Sequence, residues 1–304
     1  MLKEKLSAIE EILFPEVPED IPHGDMPGDK VRINDDHIAK ATKIFPRLIE
    51  ELKKSGREKA VVSVFGGSGV GKSEIASLLA YYLRENRIGA YVMSGDNYPR
   101  RIPMYNDAER LSVFRSSGLK GLVASGHYSR EIQRTLDMLW NSEKDPDPKL
   151  VTEYPWLSSY QKAGREALTE YLGTFLEQDY DEVNAILKAF REGEEKVYLK
   201  RMGRREEDRW YDLVDFSDTD VLVIEWTHGG NENLEGLDVT VLLNSTPEET
   251  REHRRLRARD GKTDSDFTTM VLEIEQEELE RRAKYANIII SKQGEFITFE
   301  EIGK

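Results

Sequence analysis

The sequence contains no cysteine among its 304 residues. The absence excludes a disulfide framework, a thiolate nucleophile and a cysteine zinc site. The 5 histidines do not have the spacing of zinc ligands, so we predict no zinc site. No apolar run approaches the roughly 20 residues that a membrane-spanning helix needs, and the first residues lack the apolar centre of a secretory signal. We therefore expect a soluble, cytoplasmic protein without a membrane partner.

Positive charge is also scarce, with 44 Lys and Arg against 58 Asp and Glu and a net charge of -14. This balance disfavours a protein that binds nucleic acid over its whole surface, including an enzyme acting on aminoacyl-tRNA. A local basic patch stays open. The sequence also leaves open whether identical chains assemble into a homo-oligomer.

Five short apolar runs predict buried parallel strands, at residues 60–65, 90–94, 221–226, 239–244 and 287–291. Most are separated by helical patterns, which predicts an α/β fold, a doubly wound parallel sheet of about five strands with helices on both faces. We expect a helical N-terminal extension at 1–57 and a main domain at 58–304. A helical insertion at about 99–215 interrupts the main domain, because several helical patterns follow one another there.

The stretch GGSGVGKS, residues 66–73, matches G-x-x-x-x-G-K-[ST] between a predicted strand and a predicted helix. Glycines let the backbone turn tightly, and the helix adds its positive N-terminal end, which suits a polyphosphate. We predict that Lys72 reaches the β and γ phosphates and that the Ser73 hydroxyl meets Mg²⁺. The predicted nucleotide-binding residues are Gly66, Gly67, Ser68, Gly69, Val70, Gly71, Lys72 and Ser73.

The motif alone predicts nucleoside triphosphate binding and leaves the fate of the phosphoryl group open. The sequence has no Asn-Lys-x-Asp guanine reader and no transporter-type signature, which leaves kinases as the leading class. A nucleotide-binding switch or adaptor, whose insertion would contact a protein partner, stays as the alternative from another class.

Two carboxylates stand at the ends of predicted strands, Asp96 in SGDNY and Glu225 in VLVIE. At the carboxyl end of a strand, Asp96 would face the ligand crevice and could accept a proton from an attacking hydroxyl. Its alternative role is that of a turn residue. Glu225 is costly to bury unpaired, so we predict that it binds Mg²⁺, with a salt bridge to an arginine as the alternative.

The order of phosphate loop, Asp96, Glu225 and a late arginine-rich segment resembles the uridine kinase and phosphoribulokinase group of P-loop kinases. The stretches SGDNY, VIEWTHG and KYANIII resemble local motifs of that group. The resemblance implies an ATP-dependent kinase that uses Mg²⁺ and phosphorylates a hydroxyl of a small molecule, such as a nucleoside or sugar phosphate. It implies that Asp96 acts as base or metal partner. Because SGDN also resembles the adenylylsulfate kinases, that activity stays as an alternative.

The late segment PEETREHRRLRARDGK carries several arginines. In P-loop kinases a helix of this kind forms a lid, and the resemblance implies nucleotide contact for Arg254 and catalytic contact for Arg255 and Arg259. A solvated helix face is the alternative. Candidate acceptor-binding residues near the crevice are Tyr98, Arg100, Arg101 and His228, although basic pairs and histidines are often surface or structural residues.

Overall fold

A computed structural model describes residues 1–21, 23–28, 30–252 and 265–302. Its helices are α1 Leu2–Ser7, α2 Asp35–Ser55, α3 Lys72–Glu85, α4 Pro103–Ala124, α5 Arg130–Asn141, α6 Leu157–Tyr171, α7 Tyr180–Glu192 and α8 Asp266–Arg282. Its strands are β1 Ala60–Gly66, β2 Ala90–Ser94, β3 Lys196–Met202, β4 Arg209–Asp215, β5 Val221–Glu225, β6 Val239–Leu243 and β7 Ile288–Ile290. None of the helices in these ranges is long and apolar enough to cross a membrane.

Five of the strands form one parallel sheet in the order β2-β5-β1-β6-β7. The alternating residues of β1 point to two different cores. Val62 and Val64 pack with α2 and α3 on one face, while Val61 packs with α7 on the other. Helices on both faces explain why the strands are almost continuously apolar. The predicted fold class is confirmed, and the predicted strand positions agree closely with the observed ones.

Both ends of helix α2 carry residues that suit the beginning and the end of a helix. The Asn34 side chain accepts a hydrogen bond from His37 N at 3.0 Å, and Gly56 ends the helix with φ at 64°. The asparagine side chain pairs with a backbone N–H of the first turn that has no partner within the helix, and glycine adopts the left-handed conformation without strain. The apolar face of α2 packs in the same core as α1, α3 and β1.

The insertion differs from its prediction because it is not purely helical. After α4 to α7 come β3 and β4, an antiparallel pair in which Lys196 faces Asp215 and Met202 faces Arg209. The apolar residues of β3 are few and mixed with charges, so its sequence carries a weak strand signal. Pairing with β4 and burial of Leu199 against α7 stabilise the hairpin, and neither contact is local.

Candidate active site

The phosphate loop joins β1 to α3 at the carboxyl edge of the sheet. Gly66 has a φ of 152°, and a Cβ there would lie 2.6 Å from the carbonyl oxygen of Leu243, so the loop needs glycine at this position. The Lys72 ammonium donates to the Gly67 carbonyl oxygen at 3.0 Å and is largely buried. The chain has a P-loop nucleotide-binding fold. Its motif, strand and helix stand together as the sequence predicts.

Parallel pairing brings the two predicted acids to the same edge of the sheet. Glu225 ends β5 and lies in register with Val64 of β1 and Ser94 of β2. One carboxylate oxygen of Glu225 accepts from Ser73 Oγ at 3.1 Å, and the other accepts from Ser94 Oγ at 2.5 Å. The salt bridge to an arginine, considered as an alternative for Glu225, does not occur among the described residues.

Burial raises the pKa of Glu225 from its ordinary 4.5 to about 8, and the nearby Asp96 carboxylate adds to the shift. The hydroxyl of Ser94, the Lys72 ammonium and the hydroxyl of Ser73 act in the opposite direction. A neighbouring cation would stabilise the ionised form of a carboxylate in this environment, because desolvation and like charge both disfavour that form.

The donor set around Glu225 fits a hydrated Mg²⁺ ion. It consists of hard oxygen ligands, the Ser73 hydroxyl and the Glu225 carboxylate, with the Asp96 carboxylate near them. Mg²⁺ prefers oxygen ligands and keeps several waters, so a few protein ligands suffice. No group of three or more acidic or histidine side chains that could hold a metal occurs in the described ranges.

Asp96 lies in a short 3-10 turn, Gly95–Asn97, directly after β2. Its side chain is exposed and lines a cavity of about 640 Å³ that Lys72, Ser73 and Glu225 also line. Gly95 allows the turn to pass close to the buried Trp226 ring, since a Cβ there would lie 2.0 Å from the ring. The Trp226 ring therefore packs directly against the turn that carries Asp96.

Asp25, which no sequence motif singles out, lies in the N-terminal segment and holds that same turn in place. One of its oxygens accepts from Ser94 N at 2.8 Å and from Asn97 Nδ2 at 3.0 Å. The other accepts from Arg201 Nη1 at 2.9 Å and from the Tyr91 hydroxyl at 3.0 Å. Burial raises the pKa of Asp25, although Arg201 acts in the opposite direction. In the sequence this segment is marked only by prolines at positions 15, 18, 22 and 27, which give no sign of these contacts.

The cavity continues from the phosphate loop into the insertion. Its far wall comes from α4, from the connection after α5 and from the first turns of α8, with residues Asn106, Asp107, Arg110, Arg115, Asp145, Phe267 and Glu275. These positions are far apart in the sequence and carry no motif. The cavity thus has one end at the phosphate loop and the other at the insertion, which gives room for two ligands side by side.

Three of the predicted acceptor-binding residues lie outside the described wall of this cavity. Tyr98 is fully buried, with the Lys200 ammonium 5.1 Å from its ring centre. Arg100 donates to the carbonyl oxygen of Phe175 at 2.5 Å, and Arg101 donates to that of Leu176 at 3.1 Å. The Tyr98 side chain is thus held inside the protein, whereas those of Arg100 and Arg101 are partly exposed, and acceptor binding by these three residues stays a prediction.

His228 does line the cavity, and it is buried. Burial lowers its pKa from 6.5 to about 4, although the Glu177 carboxylate acts in the opposite direction. The ring is therefore neutral at physiological pH and packs edge-on against Trp226, with centroids 5.4 Å apart. The predicted lid residues Arg254, Arg255 and Arg259 lie outside the described residues.

No family model matches the chain. Over 252 residues, 82% of this chain, it is 36% identical to the bifunctional alpha-galactosidase/sucrose kinase AgaSK of Mediterraneibacter gnavus. The chain spans only 22% of the length of that relative.

Two solved structures show weaker likeness. A possible uridine kinase from Bacillus stearothermophilus is 15% identical, with 82% of this chain and 96% of that chain covered and a TM-score of 0.43. The D-glycerate 3-kinase of Cryptococcus neoformans is 12% identical, with 84% and 97% covered and a TM-score of 0.46. At these scores the assignment of fold depends on the strand order and phosphate loop described above.

Proposed function

We propose that the protein is an ATP-dependent kinase that transfers the γ-phosphoryl group to a hydroxyl of a small molecule. The observation that carries the proposal is the position of Asp96, whose exposed carboxylate lines the same cavity as Lys72, Ser73 and Glu225. A phosphate-binding end and a base on its acceptor side are what phosphoryl transfer to a hydroxyl requires.

Each of these residues has a role in the reaction that follows from its position. The loop and Lys72 hold the triphosphate, while Asp96 orients the acceptor hydroxyl and receives its proton as the new phosphorus–oxygen bond forms and the bond to ADP breaks. Ser73 and Glu225 would hold Mg²⁺, which neutralises phosphate charge when it is bound. We also propose that Arg254, Arg255 and Arg259 act on the phosphates, as the resemblance implies.

The relative named above supports a sugar as the acceptor, because the name of that protein includes sucrose kinase. A nucleoside, a sugar phosphate and adenylylsulfate remain as alternatives. The switch or adaptor alternative predicts nucleotide binding without transfer to any acceptor, and the exposed carboxylate in the cavity favours the kinase over it.

A single substitution tests the proposal. Asp96→Asn keeps the size of the side chain and removes the base, so we expect the turnover number to fall by about 10²- to 10⁴-fold while ATP affinity is retained. The measurement is ADP release with sucrose, other sugars, nucleosides, sugar phosphates and adenylylsulfate as acceptors. Asp137→Asn, on an exposed part of α5, is the matched control. Equal turnover in Asp96→Asn and wild type would exclude Asp96 as the base.

A further inference from the structure

Strand β4 has an open edge, because β3 is the only strand that pairs with it among the described residues. Just beyond the two ends of this pair, Phe216 N donates to Glu195 O at 2.6 Å and Gly203 N donates to Asp208 O at 2.7 Å. The register does not change between these bonds, so the even-numbered residues of β4 exchange hydrogen bonds with β3. The backbone N–H and C=O groups of the odd-numbered residues of β4 therefore point outward along the open edge.

Large apolar side chains lie along this edge. Tyr211 is 53% exposed, Leu213 is 52% exposed, and Tyr198 of β3, directly opposite Leu213, is 62% exposed. These three side chains project from the same face of the hairpin, because side chains alternate along a strand and opposite residues share a face. Trp210, on the other face, is 43% exposed. An open strand edge with exposed apolar side chains is a template for another strand and indicates a partner.

The sequence of β4 is complementary to itself when two copies run antiparallel. With the twofold axis at Asp212, the outward backbone groups of one copy meet the outward groups of the other. Arg209 then lies opposite Asp215 of the partner subunit, and Tyr211 lies opposite Leu213 of the partner subunit. The symmetry repeats both the charge pair and the apolar pair. A slip of the register to the next hydrogen-bonded position, in either direction, would break the charge pairs.

One contact of this arrangement is unfavourable, since Asp212 would face Asp212 of the partner subunit. Within its own chain Asp212 accepts from Arg201 Nε at 3.0 Å and from Trp210 Nε1 at 3.0 Å. A carboxylate that is paired with a guanidinium repels a like charge less, so the cost at the axis is reduced. Asp215 accepts from Ser217 N through Oδ1 at 2.9 Å, and its side chain, like that of Arg209, stays exposed and within reach of a partner.

We propose that β4 is the interface of a twofold-symmetric dimer of this chain, in which the two hairpins join into one continuous antiparallel sheet. The proposal goes beyond the kinase activity and is independent of it. No residue of β4 lines the described wall of the cavity, so dimer formation and phosphoryl transfer can be measured separately.

Sedimentation velocity of the full chain from about 1 to 100 μM tests the proposal, because a small interface gives affinities in this range. We expect wild type to change from monomer to dimer as the concentration rises. Leu213→Lys puts a charge into the apolar pair and should weaken the dimer at least about 10-fold. Arg209→Glu and Asp215→Arg should each weaken it about 10-fold, because each turns a repeated attraction into a repeated repulsion.

A mixture of the two charge variants tests contact between chains directly. In a dimer of one Arg209→Glu chain with one Asp215→Arg chain, both charge pairs are attractive again. The mixture should therefore dimerise about as well as wild type, although neither variant does so alone. Met138→Lys and Arg134→Glu make matching changes at exposed positions of α5 and should leave the dimer as in wild type. Circular dichroism and thermal denaturation show whether each variant is folded.

Three results would overturn the proposal. The first is a wild type that stays monomeric at every concentration, and the second is a dimer that Leu213→Lys and Arg209→Glu leave unchanged. The third is a mixture of folded charge variants that does not recover the dimer. None of these results bears on the kinase, which Asp96→Asn tests by itself.

Discussion

The buried carboxylate of Glu225 makes a prediction about how stability depends on pH. Its pKa is about 8 in the folded protein and 4.5 ordinarily, so between these values the folded state binds a proton that the unfolded state has lost. Stability contributed by this group is complete below pH 4.5 and is lost as the pH rises toward 8, with a slope of up to about 1.4 kcal/mol per pH unit.

His228 has the opposite dependence, because burial lowers its pKa to about 4 and the unfolded state binds the proton below 6.5. Its effect therefore falls mainly below pH 6.5, where stability rises with pH. Between pH 6.5 and 8 that opposition fades, and over this interval Glu225 should remove about 1.6 kcal/mol of stability, because it is half ionised at pH 8. The pKa values of Asp25 and Glu275 are also raised, so only the difference between wild type and variant belongs to Glu225.

The variant is Glu225→Gln, which keeps the shape of the side chain and cannot ionise. We propose urea denaturation followed by circular dichroism at pH 6.5, 7.25 and 8, without nucleotide and with EDTA. Wild type should lose about 1.6 kcal/mol more than the variant across this range. Glu235→Gln, at an exposed position, is the matched control and should behave as wild type. Equal slopes for wild type and Glu225→Gln would refute the assignment of a raised pKa to Glu225.

Two further substitutions test the support of the Asp96 turn. Gly95→Ala places a methyl group against the Trp226 ring, so it should lower the free energy of unfolding in urea by about 2 kcal/mol and should lower kcat. The control is Gly126→Ala, because a Cβ there has nothing within 4 Å. It measures the backbone cost of replacing a glycine at φ 72° and should leave kcat unchanged. Asp25→Ala leaves the buried Arg201 with one carboxylate, Asp212, and should cost about 3 kcal/mol and lower kcat more than ATP affinity; unchanged kcat would show that Asp25 does not position the turn.

Much of the fold is encoded in local patterns. The apolar runs at β1, β2, β5, β6 and β7 predicted the sheet because a strand buried on both faces must be apolar along its length. The phosphate loop was readable because its glycines, Lys72 and Ser73 are adjacent in the chain. Asp96 and Glu225 could be picked out because each follows or closes such a strand, and parallel strands end at the same edge of the sheet.

The other features of the fold and of the site depend on contacts between segments that are distant in the sequence. Strand β3 pairs with β4, and Asp25 holds the turn that carries Asp96. No short motif connects the residues of either contact. The same is true of the insertion end of the cavity, where the Asn106 amide donates to Glu177, 71 residues further along the chain. The sequence by itself determined the sheet and the phosphate-binding end of the cavity, because strand burial and the phosphate loop are local properties. Only the tertiary structure decided which side chains line the insertion end of the cavity, because packing and hydrogen bonding between distant residues set their positions.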